Sequence, residues 1–163
     1  MTTADQGPPP LPPRVRKHFE AFAGTWDCEI AFAPGAPFPP MKGLETNVVR
    51  CGGYVLTTDV EVSEPFPFSG HGAAAWDALK GKLTSTWADS SGAPMQFAEG
   101  DVTEDGLAST ARGASPDMTN RRLVPIRQEH RLDGPEGRVF TTYAEGPDGK
   151  EMPIMTIRYR RRR

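Results

Sequence analysis

This chain of 163 residues has two cysteines, three histidines, almost no net charge and no long hydrophobic run, and each shortage excludes something. Cys28 and Cys51 are too few for a disulfide scaffold, so in a reducing compartment both read as small buried apolar groups. His18, His71 and His130 include no His-x-His pair, and the cysteines lack metal-ligand spacing, so neither a metal nor a cofactor is expected. A formal net charge of −2 offers no global attraction to nucleic acid or to anionic lipid, and neither is expected as a partner. With 37% hydrophobic residues and no apolar stretch of spanning length, a membrane helix is excluded. The N-terminus lacks the basic start and apolar run of a secretion signal, which predicts a cytoplasmic protein. A phosphate-binding glycine loop and a nucleophile elbow are missing too. The local exception to weak charge is Arg158, Arg160, Arg161, Arg162 and Arg163, which read as a solvated end.

What the chain has instead is punctuation. Its 17 glycines and 17 prolines separate short runs in which apolar and polar residues alternate. Residues 1–13 end in Pro8-Pro9-Pro10-Leu11-Pro12-Pro13 and predict an extended leader outside the core. Val15, His18, Phe19 and Phe22 recur at helical spacing, which predicts an amphipathic helix over 14–23 that packs against one end of a strand-built body. Ten strands are predicted after it: Thr25–Ala33, Gly43–Cys51, Tyr54–Ser63, Phe68–Trp76, Leu83–Asp89, Met95–Val102, Leu107–Gly113, Arg122–Leu132, Arg138–Glu145 and Glu151–Arg160. Gly52-Gly53 and Asp105-Gly106 mark tight hairpins. Short sequential loops pair each strand with its predecessor, and closure removes exposed edges. The fold class is therefore all-β: an antiparallel up-and-down barrel of about ten strands with a short N-terminal helix. One domain spans 14–160, and 161–163 form a basic tail. Pro125 and Pro153 each remove a ladder donor, which predicts a bulge or gap, and an edge left open there would allow a homodimer. Gly70 and Gly72 suggest a bend.

Gly24-Thr25-Trp26 after a short helix resembles the opening of lipocalin-type barrels. In those, the Trp closes one end against a basic residue of the last strand, a role that Arg158 or Arg160 would fill. The wider series is Cys51-Gly52-Gly53-Tyr54, Phe68-Ser69-Gly70-His71-Gly72, Trp76-Asp77, Ser85-Thr86-Trp87-Ala88-Asp89-Ser90, Gly146-Pro147-Asp148-Gly149-Lys150-Glu151 and Ile157-Arg158-Tyr159. In that order the chain is similar, from Phe19 to Arg160, to an uncharacterised bacterial family, domain of unknown function 1579. The resemblance implies a lipocalin-like (calycin-like) barrel and no particular activity. Trp76 stands where the family more usually has tyrosine.

A barrel's functional place is its interior, so inward side chains are the candidates. Trp26 and Trp87 are the aromatic ones, each with an indole donor that needs a partner. On the strand 122–132, Val124, Ile126, Gln128, His130 and Leu132 share a face, which would carry Gln128 and His130 inside to meet a ligand or a neighbouring strand. An inward histidine also suits haem iron, although too few metal ligands accompany it. Met95 and Phe97 share a face with Glu99 and Asp101, so Phe97 joins the ligand-binding candidates, and Glu99 becomes a general acid or base if that face is inner. Asp27 with Glu29, and Asp59 with Glu61, fall on the faces opposite the apolar ones and read as solvated. The leading expectation is a non-catalytic barrel that binds a small, partly apolar ligand through Trp26, Trp87, Phe97, Gln128 and His130. The alternatives are a cyclase- or isomerase-type enzyme working through Glu99 or His130, and a barrel filled by its own side chains in a structural or interaction role.

Overall fold

The structure is a computed structural model that describes residues 7–163, so the first six residues of the expected leader lie outside it. It has one α-helix, α1 (Pro13–Phe22), one short 3-10 turn (Cys51–Gly53) and ten strands. These are β1 (Gly24–Phe32), β2 (Met41–Arg50), β3 (Val55–Glu64), β4 (Phe68–Asp77), β5 (Lys82–Asp89), β6 (Gln96–Val102), β7 (Ala108–Asp117), β8 (Arg122–Leu132), β9 (Gly137–Glu145) and β10 (Glu151–Arg161). Each strand pairs antiparallel with its sequence neighbours and β1 closes on β10, giving a complete barrel without a free sheet edge. The predicted up-and-down topology and strand count are both found.

Helix α1 starts with proline in its first turn, where the missing N–H costs nothing, and buries Val15, His18, Phe19 and Phe22. Those side chains meet Leu56, Leu83 and Val102 across the near end of the barrel and plug it. Each fully buried aliphatic or aromatic side chain contributes about 1.5–3 kcal/mol. Leu11 joins the same cluster at 6% exposure, so the supposed leader is anchored two residues before the helix begins. The opposite end carries no helix; there the connections 33–40, 65–67, 90–95, 118–121 and 146–150 form the mouth.

The prolines do not open the wall. At Pro153 the β9–β10 register shifts before Met155, the predicted bulge. Pro125 stays in register with Ala114 and lies one residue beyond the β8–β9 ladder, which begins at Ile126, so its missing donor costs that ladder nothing. Strand β7 runs to Asp117, past the expected end at Gly113, because Asp117 accepts hydrogen bonds from the backbone and side chain of Asn120 and closes a compact hairpin turn. Cys28 is buried as expected, but Cys51 is exposed because it sits with positive φ in the turn before β3.

The basic end is not all frayed. Arg161 belongs to β10, where its guanidinium donates to the carbonyls of Ala21 and Ala23 and lies 4.0 Å from the centre of the Trp26 ring. The last strand does supply the basic partner of Trp26, one residue later than expected. Tyr159 faces inward, so alternation turns Arg158 and Arg160 outward and Arg161 back toward Trp26.

Candidate functional site

The strand register fixes which side chains share the interior. Trp26 pairs across β1–β2 with Glu45, Glu45 across β2–β3 with Val60, and Gly24 with Asn47. On the far wall His130 pairs with Ser109 and Phe140, and Gln128 with Ala111 and Thr142. Strand alternation then brings a charged cluster inside the closed end, directly beneath α1.

Its centre is an ion pair between Arg138 and Glu45, both almost completely buried. The second guanidinium nitrogen, Nη1, donates to His130 Nε2 at 2.9 Å. Aromatic faces cover the cation: the ring centres of Tyr159 and Trp26 lie 3.8 and 4.5 Å from Arg138 Cζ. Asn47 donates to Glu45 Oε1 at 2.8 Å and to the Phe22 carbonyl at 3.2 Å, and it accepts from Thr58 Oγ1 at 2.6 Å. Trp26 Nε1 donates to the same Phe22 carbonyl at 3.1 Å. One carbonyl at the end of α1 therefore receives two side-chain donors, which is how a helix end inside a protein is satisfied.

The cluster sets the charge states around it. Burial holds the His130 imidazole well below its usual range, and the neighbouring Arg138 and His18 push the same way. His18 falls to about 4, chiefly through burial, although its contact with the Gly106 carbonyl at 3.1 Å opposes the shift. Burial raises the Tyr159 hydroxyl well above its usual range and lifts the Cys28 thiol to about 11, and the Glu45 carboxylate adds to both. The deep interior thus carries one cation, one anion and neutral imidazoles.

Nearer the mouth the interior changes character. The Trp87 indole lies flat along β4 because Gly70 and Gly72 have no side chain: a Cβ on Gly70 would fall 2.2 Å from the ring, and one on Gly72 3.1 Å. Gly70 and Gly72 therefore admit the ring across the strand, which is the reason for the glycines that sequence reads as a bend. The indole N–H donates to Asp89 Oδ2 at 2.9 Å. Beside the ring lies a cavity of about 20 Å³ lined by Ser85, Gln96, Ala98, Ile126 and Gln128, enough for about one water molecule. No side-chain hydrogen bond joins Ser85, Gln96, Ser109 or Gln128 to another described residue. Thr142 Oγ1, opposite Gln128, is buried without a partner.

Of the residues expected from sequence to bind a ligand, Trp26, Trp87, Gln128 and His130 all face the interior, but not one common space. Trp26 and His130 belong to the charged cluster, whereas Trp87 and Gln128 flank the small cavity. Phe97 also borders the small cavity, but from its outer side. It pairs across from Thr86, and alternation sends Ala98 inward and the Phe97 ring to the outer wall at 65% exposure. Glu99 shares that outer face and is bonded to Lys80, and Asp101 pairs with Arg14. Glu99 is thus outside the interior, where an acid or base serving an enclosed substrate would have to stand. Asp59 and Glu61 are exposed as expected, with Asp59 2.7 Å from His71 Nδ1.

Sequence reasoning misses Glu45, Arg138, Asn47 and Thr142. Their signal is present: Glu45 alternates with Met41 and Asn47, and Arg138 with Phe140 and Thr142. A charged residue on an apolar face is easily passed over, because no single strand shows that charge's partner.

The family model for "Protein of unknown function (DUF1579)" matches residues 12–161. The chain belongs to this family. Among solved structures, this DUF1579 protein is similar to Rv2717c from M. tuberculosis. The two are 15% identical, 94% of this chain and 100% of that one are covered, and the TM-score is 0.65. The likeness shows a shared barrel fold. A redesigned β-barrel, mFAP1, bound to DFHBI is also 15% identical, with 89% of this chain and 99% of that one covered and a TM-score of 0.48. No curated protein sequence matches this DUF1579 chain.

Proposed function

We propose that this protein binds a small, partly apolar molecule with a hydrogen-bonding group, held in the half of the barrel nearer the mouth. The observation that carries this reading is the buried Thr142 hydroxyl, left without a protein partner, together with the inward, half-buried Ser85, Gln96 and Gln128 side chains near Trp87. Buried polar groups ordinarily have partners, and a bound molecule is one way to supply them. The lining includes small residues, Ala98 and Ala114, whereas Trp87 and Ile126 supply larger apolar contact. A ligand larger than one water enters by moving the Trp87 indole, whose hydrogen bond to Asp89 is at the rim.

A second reading has a specific observation in its favour: a cavity of about 20 Å³ is what a barrel filled by its own side chains would keep. Native mass spectrometry of freshly purified protein, followed by titration with a lipophilic fluorescent probe, separates the two. Ligand binding predicts either a mass above that of the polypeptide or saturable probe binding that weakens in Gln128→Leu. If neither occurs, the barrel is filled and the binding reading falls.

A further inference from the structure

We propose that the mouth of the barrel docks on an uncharged lipid surface. Among the described residues, six of the eight large apolar side chains that are exposed sit at this one end: Phe38, Phe66, Met95, Phe97, Met118 and Leu123. Only Leu79 and Leu107 are exposed at the plugged end. The six are spread over four of the five mouth connections and the strand ends beside them, and those four are consecutive around the barrel. Such a crescent of separate tips does not form a groove for a peptide. It suits a surface that is flat and deformable enough to take all the tips at once.

Charge decides what kind of surface. Segments 33–40, 65–67 and 90–95 contain no charged residue at all, in a chain that is 25% charged. Segment 118–121 contains one, Arg121, and the adjacent Arg122 is already paired with Asp117. Charged loops would favour an anionic membrane, and loops that reach a protein partner ordinarily mix apolar anchors with a polar rim. Apart from Arg121, the side chains of these loops are apolar or small and uncharged, which suits zwitterionic headgroups and the acyl boundary beneath them. The same four connections and their flanks are rich in proline, with Pro34, Pro37, Pro65, Pro67, Pro94 and Pro116. Prolines hold the tips extended before contact and reduce the ordering lost on docking. Phe38 is further held by the Phe32 ring, 5.3 Å away between centres.

No described helix is long and apolar enough to cross a bilayer, and docking needs none. The expectation that no membrane is a partner rests on the lack of a spanning stretch and on net charge, which bear on a transmembrane helix and on anionic lipid and not on a neutral surface. Docking at the mouth stands whether or not the interior holds a ligand.

The test is co-flotation of the full chain with phosphatidylcholine vesicles. Binding is expected, unaffected by raised salt and not strengthened by adding anionic lipid. Phe38→Ser combined with Phe66→Ser is expected to lower the partition coefficient about ten-fold or more, since each buried aromatic contributes on that scale. Met118→Ser with Leu123→Ser should act similarly, whereas Leu79→Ser at the plugged end should change nothing, each variant first being shown folded by circular dichroism. Absence of flotation, binding only to anionic vesicles, or equal loss in Leu79→Ser would overturn the proposal. So would sedimentation showing a dimer of wild type that Phe38→Ser with Phe66→Ser dissolves, because the apolar end would then be an interface between two copies.

Discussion

Arg138 and Glu45 form an ion pair sealed inside the barrel, their side chains only 1% and 5% exposed. Neither can be hydrated, so each depends on the other and on the ring of Asn47, His130, Tyr159 and Trp26. The pair ties β2 to β9, strands that are not neighbours in the sheet. It also spans the interior just below α1, so the plugged end is held by polar as well as apolar contacts.

Removing one partner should therefore cost far more than removing both. Glu45→Leu leaves a buried guanidinium without its anion and is expected to destabilise by about 3–5 kcal/mol, and Arg138→Met by a similar amount. The double variant should recover much of that loss, because replacing both partners with apolar side chains leaves no orphaned charge. Urea denaturation of the four proteins measures this cycle. Additive losses in the double variant would show that the two residues do not act as a pair.

Acid should weaken the fold through the histidines. In the folded protein His18 titrates at about 4, against an ordinary value of 6.5. Between those values the unfolded chain binds more protons than the folded one, so stability is full above about pH 6.5 and falls as pH drops toward 4. For His18 alone the loss approaches about 3 kcal/mol and levels off below pH 4. His130 shifts in the same direction, and so adds to the fall. The groups facing His18 are the Gly106 carbonyl, Phe19, Phe22, His130 and Arg138, none of which offers an acid to stabilise its protonated form. Denaturant midpoints measured between pH 7.5 and pH 4 should fall more shallowly in His18→Gln than in wild type; parallel curves would refute the assignment.

Trp87 should respond to a single methyl group. Neither Gly70 nor Gly72 has positive φ, so alanine is conformationally acceptable at both; at Gly70 only the indole stands in the way, whereas at Gly72 the Thr86 carbonyl oxygen, 2.9 Å from an added Cβ, does so too. Gly70→Ala is expected to expel the ring from its place along β4 at a cost of about 1–3 kcal/mol. The expelled indole loses its bond to Asp89, and the emission of Trp87 should shift to longer wavelength in a background with Trp76 replaced by Phe. The shift should vanish when Trp87→Phe is added. An unshifted spectrum in Gly70→Ala would mean that the ring does not rest on the glycines.

The barrel itself is legible in the sequence because its code is local. Alternation such as Trp26-Cys28-Ile30 and turns such as Gly52-Gly53 specify strands and hairpins within a few residues, and hairpins in series leave closure as the one way to remove edges. Where sequence reading fails, the deciding contact is distant. Whether Met95-Phe97-Glu99 faces in or out depends on the register with β5 and β7, which turns Ala98, Gly100 and Val102 inward and that set outward. Glu45 and Arg138 lie 93 residues apart and explain each other only once the barrel is closed. The outward pair Glu99 and Lys80 predicts the contrast with them: Glu99→Gln should leave the denaturation midpoint and any probe binding unchanged. A measurable loss of either would restore Glu99 as a functional residue.

Thr142 separates stability from binding. Its hydroxyl is buried without a partner, directly across the β8–β9 ladder from Gln128, on the inner wall behind the Trp87 cavity. Thr142→Val keeps the shape and β-branching and removes the orphaned oxygen. A buried hydroxyl without a partner costs about 1–3 kcal/mol, so the variant should be as stable as wild type or up to that much more stable. If the oxygen is retained for a bound molecule, the same substitution should weaken saturable probe binding while the protein becomes harder to unfold. Gain in stability with unchanged binding would place Thr142 outside the site, and a loss of stability would show that the hydroxyl has a partner after all. Opposite signs in the two measurements are the result that ties the unsatisfied oxygen to a ligand.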